Sequence, residues 1–429
     1  MIIHVVRPGD TINSISESYG LSVTRIIMDN DLQDPLNLVI GQTIVIVYPE
    51  VTHTVQEGDT LAGIADLYQT TIRELLRNNP FLSDRTELIP GETLIISYGN
   101  KLGKMATNGF AYNFINKDIL RKTLPYLTYL TVLNYQFTED YQIVGEDDTE
   151  IIQMTLDAGV IPLLQVTSFI TLSMETIEAT LRILYNKEVQ DLLINSYLKL
   201  LRESGYYGIN ITFSYIDSYN YPVYNNYLSR LQEQLSAEGF LTFVTIAPRE
   251  ILNINEITID KIDYSLIGKL ADGINLLHYD YSSNFGSPSQ QTITFIGNEF
   301  IEYAKTIIPA EKIYAGLSVI AYDWPLPYEV GVTRANSLST NTAIELARIN
   351  GAVISYDEWA EAAYFYYDLN VEGAIIQHVV WFRDARSIET RANQMAQNGF
   401  RGLSIWNLMY FNKQMWLILN SQYEIETLL

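Results

Sequence analysis

The sequence contains no cysteine, so it holds neither a disulfide framework nor a thiolate metal site. Histidine is nearly as scarce: His4, His53, His278 and His378 stand far apart with no paired spacing. That pattern argues against a His-based metal centre, and no metal or cofactor is expected. Basic residues are few. The 27 Lys and Arg face 50 Asp and Glu, a net charge of −23, and such a surface repels phosphate backbones and anionic membranes. The first 99 residues alone hold 13 acidic and 5 basic side chains, so no basic patch hides in the average. No stretch approaches the roughly 20 apolar residues of a membrane span. The start, MIIHVVRPGDT, lacks a basic segment and a long apolar core, so no signal peptide is expected. The expectation is a soluble protein without nucleic-acid or membrane partners, made in the cytoplasm.

Tyrosine is plentiful, 31 residues against 15 Phe and 5 Trp. A phenol joins an apolar face to a polar tip, which suits sugar surfaces and barrel interiors alike.

An internal repeat opens the chain. HVVRPGDTINSISESYGLSVTRIIMDN begins at His4, and HTVQEGDTLAGIADLYQTTIRELLRNN begins at His53. Gly9-Asp10-Thr11 recurs as Gly58-Asp59-Thr60, Ile40-Gly41 recurs as Pro90-Gly91, and each copy ends in an apolar strand, TIVIVY or TLIISY. The Asp or Thr can cap a helix whose inner face carries Ile12, Ile15 and Tyr19, or Leu61, Ile64, Ala65 and Tyr68. A second helix (24–30, 71–79) and the return strand complete a βααβ unit. Expected boundaries are 1–49 and 50–99.

The repeat resembles LysM, a module that binds chitin and peptidoglycan through N-acetylglucosamine units. The resemblance implies a shallow groove lined by Asp10, Thr11, Ile12, Asn30, Ile40 and Gly41, and again by Asp59, Thr60, Leu61, Asn79, Pro90 and Gly91. Helix capping is the competing role for Asp10 and Asp59. Two weak sites on one chain gain by effective concentration along a polymer.

Residues 100–429 alternate apolar runs with helical patterns such as 191–203 and 224–238. Eight runs stand out: 106–112, 129–137, 160–166, 208–214, 241–247, 273–279, 313–319 and 402–408. Eight βα units predict a (β/α)8 TIM barrel, an α/β fold. The spacing breaks after the seventh run, predicting an inserted α+β lobe at about 320–384, with a helix over 341–350 and strands around 364–367 and 374–382.

Gly109-Phe110-Ala111-Tyr112, GYYGIN (205–210), Ala271-Asp272-Gly273, His278-Tyr279-Asp280-Tyr281, Tyr322-Asp323-Trp324, VWFRDARSI (380–388) and GLSIWNL (402–408) give this domain its likeness. It resembles family 18 glycoside hydrolases, most closely the LysM-bearing branch among bacterial spore cortex-lytic and spore-coat enzymes. The resemblance implies that Tyr279, Asp280 and Trp406 contact an N-acetylated sugar, with Tyr322 and Trp324 nearby on the loop after the seventh strand. Packing in the core is the competing role for Trp406, and packing beneath the lobe for Tyr322 and Trp324.

That family ends its fourth strand in D-x-x-D-x-D-x-E. The Glu protonates the glycosidic oxygen, and the Asp two residues earlier steadies the substrate's own acetamido nucleophile. Here Asn210, Thr212 and Ser214 fill the three inward positions. Losing the general acid is worth roughly 10² to 10⁴ in rate. The sequence therefore reads as a non-catalytic binder of N-acetylglucosamine-containing polysaccharide, deposited on the spore cortex or coat. Two alternatives stand beside it. One is a hydrolase of peptidoglycan or chitin with altered catalytic residues, for which Asp217 and Asp280 are substitute carboxylates. The other is a purely structural coat component.

Overall fold

The computed structural model describes residues 1–85, 87–137, 141–167, 181–212, 219–247, 250–253, 256–277, 288, 290–329 and 332–429. In the first copy of the repeat, strands Ile2–Val5 and Thr43–Ile46 pair antiparallel around helices Ile12–Tyr19 and Val23–Asn30. Thr11, not Asp10, caps the first helix, accepting from the Ser14 amide while the Ser14 hydroxyl accepts from the Thr11 amide. Ile12, Ile15, Ile26, Ile44 and Ile46 form a small separate core. The second copy repeats this plan with strands Pro49–Thr54 and Thr93–Tyr98, helices Leu61–Tyr68 and Ile72–Asn78, and Thr60 as cap.

The eight predicted runs form a closed parallel barrel. Its strands are β1 (Gly103–Tyr112), β2 (Tyr129–Phe137), β3 (Ile161–Thr167), β4 (Gly208–Thr212), β5 (Leu241–Ile246), β6 (Gly273–Leu276), β7 (Ile313–Ser318) and β8 (Gly402–Trp406). Each pairs with its sequence neighbour, and β8 returns to β1, so no barrel edge is left open. The runs expected to reach 214 and 279 are described only to Thr212 and Leu277. Helices Lys187–Ser204 and Tyr221–Ala237 lie where the periodicity placed them, each longer than its pattern.

The lobe between β7 and β8 spans the expected residues but holds more strands than the two expected. Five antiparallel strands (Ile320–Pro325, Asn336–Ser339, Ser355–Asp357, Ala362–Val371, Ala374–Phe382) carry helix Thr340–Ile349. The short final strand Tyr423–Ile425, which the pattern did not reveal, pairs beside the start of β1. No helix of the described residues is long and apolar enough to cross a membrane.

Inside the barrel, side chains stack in layers. Tyr129, Phe243 and Tyr314 meet near the N-terminal ends of β2, β5 and β7 with centroids 4.8 to 6.1 Å apart, plugging the bottom. Polar residues fill the middle, and Phe110, Leu133, Leu277 and Trp406 stand above them.

Both small modules dock on the barrel. Arg73 of the second donates to the carbonyls of Pro125, Leu127 and Gly159, and Arg77 joins it at Pro125. Burial of Arg73 brings its pKa down to about 10. On the first copy, the Gln414 amide donates 2.7 Å to the Thr43 carbonyl and 3.0 Å to Asn30.

Candidate functional site

The polar middle layer holds Asn210 and Thr212, two of the three inward positions at which the family carries carboxylates. Asn210 is fully buried on β4, and its amide donates to Gln165 Oε1 (2.5 Å) and Thr245 Oγ1 (2.8 Å). Asn275 on β6 donates 2.9 Å to Asn210 and receives 3.1 Å from Asn108, which in turn accepts from Thr131 at 2.8 Å. Gln165 on β3 completes the chain by donating 3.0 Å to the Thr212 hydroxyl. These bonds join β1 through β6 using amides and hydroxyls only. A buried network of this kind is rigid because each member satisfies another, yet none of its groups is an acid at neutral pH.

Asp148 is buried and accepts from Asn134 (2.9 Å), Tyr135 (3.2 Å) and Tyr206 (2.6 Å). Ser214, Asp217, Tyr279 and Asp280 lie outside the described residues. In sequence they follow β4 and β6, the C-terminal ends where barrels of this kind keep their chemistry.

Trp406 ends β8 at the mouth, half-buried, and its peptide bond to Asn407 is cis. It packs on Phe110 (5.7 Å) and meets Tyr112 edge-on (6.4 Å). Phe114 stacks on Tyr112 at 5.2 Å and 18° and is 70% exposed, a flat apolar face at the rim that the sequence reading missed. Its signal lay in the aromatic spacing of Phe110, Tyr112 and Phe114 along one strand and its loop, since alternate strand residues share a side.

Tyr322 and Trp324 require a correction. They are 4% and 1% exposed and form the lobe's own core with Ala335, Ala362, Val379 and Trp381. A side chain so enclosed has no face left for a sugar. Between them Asp323 accepts from Tyr367 (2.9 Å) and meets His378 Nδ1 at 2.9 Å, which ties three lobe strands together.

In the LysM copies the acidic residues hold the turn. Asp10 accepts from the Arg7 amide (2.7 Å) and meets His4 Nε2 (3.1 Å), while His4 Nδ1 meets the Tyr19 hydroxyl. Asp59, Gln56, His53 and Tyr68 repeat this arrangement. The backbone amides of Arg7 and Gln56, with lesser help from the histidines, hold both carboxyls below the usual range.

Asn30 and Asn79 also need correcting. Both are buried, and each amide bridges its helix to the return strand: Asn30 through Ile26 and Val45, Asn79 through Leu75 and Ile95. Both side chains serve to hold the module together, and Asn30 also accepts from Gln414. Thr11 and Thr60 are exposed, Leu61 half-buried, Ile12 buried; Ile40, Pro90 and Gly91 are exposed and Gly41 is buried.

Comparison with known proteins places this geometry among relatives. Residues 179–410 match the profile of glycosyl hydrolases family 18, and residues 4–47 and 53–97 each match the LysM domain. The chain is 32% identical to a cortical fragment-lytic enzyme of Bacillus subtilis (strain 168), covering 99% of each chain. It is 29% identical to the cortical fragment-lytic enzyme of Bacillus anthracis, over 99% of this chain and 98% of that one. Among solved structures it is similar to the spore cortex-lytic enzyme SleL of Bacillus megaterium QM B1551. The TM-score is 0.79 at 28% identity, over 100% of this chain and 99% of that chain.

These similarities overturn the expectation of a protein without catalytic activity. The relatives matching it end to end, through both modules and the barrel, are named as lytic enzymes. Replacement of the residues at 212 and 214 is too narrow a basis for setting that aside.

Proposed function

The chain belongs to glycosyl hydrolases family 18 and carries two LysM domains, and from that premise we propose that it hydrolyses N-acetylglucosamine-containing glycan of spore peptidoglycan. The observation that carries this reading is the full-length correspondence with cortical fragment-lytic enzymes, module order included. The mouth is in keeping with it: Trp406, Tyr112 and Phe114 offer apolar ring faces above a neutral, hydrogen-bonding floor. Aromatic walls with a few placed polar groups suit a pyranose, whose CH faces are apolar and whose rim is polar.

Hydrolysis requires a proton for the departing glycosidic oxygen and a nucleophile at the anomeric carbon. In a substrate-assisted reaction the sugar's acetamido oxygen forms the new bond to that carbon, the aglycone leaves with the donated proton, and water then opens the ring so formed. The Thr212 hydroxyl accepts from Gln165, and in this reading its own proton orients the acetamide. Neither Thr212 nor Ser214 donates a proton at neutral pH. The donor in this reading is Asp280, a carboxyl four residues beyond the end of β6. Association with the spore follows from the same relatives.

The reading is tested by incubating purified protein with cortex fragments and resolving the products by mass spectrometry. Shorter saccharides are expected. Fragments left intact after exhaustive incubation would refute it.

A further inference from the structure

The two LysM copies are alike in sequence and unlike in surroundings. In the first copy the loop before the return strand lies against the inserted lobe. The Ile354 peptide N–H donates 2.9 Å to the Ile40 carbonyl. Val39 is buried in the lobe's core beside Ile354, Ala343 and Phe365. The Asn341 amide donates 2.9 Å to Asp31, and Arg348 lies 3.5 Å from Asp34. A Cβ added to Gly41 would stand 1.8 Å from the Ile354 carbonyl oxygen, which leaves no room on that side of the loop.

The second copy presents the same loop to solvent. Gly91 has nearly the same backbone as Gly41, φ +88 against +87, yet a Cβ there would meet nothing within 4 Å. Ile89, at the position of Val39, is 55% exposed; the contrast lies in Val39 against Ile89 and Gly41 against Gly91, since Thr11 and Ile40 are exposed as Thr60 and Pro90 are. An apolar residue open in one copy and buried by protein in the other marks a surface built to be covered.

We propose that the copies have divided their work: the second alone grips N-acetylated glycan, and the first has the loop side of its equivalent face, Val39 to Gly41, covered by the lobe. This rests on the glycan-binding reading above and adds which copy performs it. The chemistry of the covered side supports it. A peptide N–H and the N–H of an acetamido sugar are the same group, so the Ile354 amide gives the Ile40 carbonyl the donor that a glycan offers to the second copy. Val39 packs on the lobe as Ile89 would pack on a pyranose face. The first copy thereby becomes a strut joining the lobe to the N-terminal module. The chain then holds its polymer by one LysM contact, without the avidity of two.

The test uses the full chain and a soluble N-acetylglucosamine oligomer, followed by hydrogen–deuterium exchange. Protection is expected in peptides covering 58–62 and 88–92, with none gained in 9–13 and 38–42. The surface variant Ile89→Arg is expected to weaken oligomer binding by the LysM region about tenfold, close to 1.4 kcal/mol. Protection gained in both copies, or in the first alone, overturns the division while leaving the glycan-binding reading intact. Protection in neither copy overturns both.

Discussion

The Gln165 side-chain amide donates to the Thr212 hydroxyl across 3.0 Å, tying β3 to β4 at the position where family 18 enzymes place an aspartate. An aspartate at 212 could accept the same hydrogen bond. Thr212→Asp combined with Ser214→Glu is expected to raise the rate on cortex fragments above the level that Asp280 supports, since a carboxyl at 212 steadies the acetamido nucleophile and one at 214 adds a second acid. A rate that stays at the wild-type level would show that the substrate's position has shifted along with the acids.

If Asp280 supplies the proton, its loss should affect chemistry before binding. Asp280→Asn is expected to lower kcat by roughly 10² while KM changes little. Asp217→Asn serves as the comparison. A large effect at 217 with none at 280 would move the acid to the segment after β4.

Two glycines with the same backbone shape should differ sharply in tolerance. Gly91→Ala meets open space and carries only the strain of positive φ, about 1 to 2 kcal/mol. Gly41→Ala carries that strain and also drives a methyl into the Ile354 backbone, an overpacking cost of roughly 1 to 3 kcal/mol more. Denaturant midpoints of the two variants check this, and equal midpoints would mean the first copy is not held against the lobe.

The Asp59 carboxyl is held low chiefly by the Gln56 amide and then by His53. A carboxyl with a depressed folded pKa contributes stability above its unfolded value, about 3.9, and loses it as pH falls through the lower folded value. Thermal unfolding of Asp59→Asn should therefore lie below wild type at neutral pH, and the gap should close in acid below about pH 3.9. A gap independent of pH would place the residue's role outside its charge.

Much of this was legible in the sequence, for reasons that differ by element. The barrel could be read because each strand is an apolar run bounded by turn residues, and Tyr129–Phe137 begins and ends where its pattern does. The repeat could be read because identical turns recur at nearly fixed spacing. The lobe's interior could not. Trp324 looks like an exposed loop aromatic until the strands Ala362–Val371 and Ala374–Phe382 fold over it, a contact that no local pattern encodes. Asn30 and Asn79 were misplaced for a related reason, since only the return strand reveals where their amides point. The covering of the first copy's loop depends on Ile354, far along the chain. The non-catalytic reading failed because it took one strand's replacements as the whole site, while the chain's correspondence with lytic enzymes runs its full length.

The most direct test of the central claim is the identity of the sugar at newly formed reducing ends after purified protein acts on spore cortex fragments. Reductive labelling followed by mass spectrometry reads it. A family 18 reaction assisted by the acetamido group predicts N-acetylglucosamine at every new end, accumulating in proportion to protein added. Binding of the fragments with no new reducing ends, or new ends bearing muramic acid, would contradict the account.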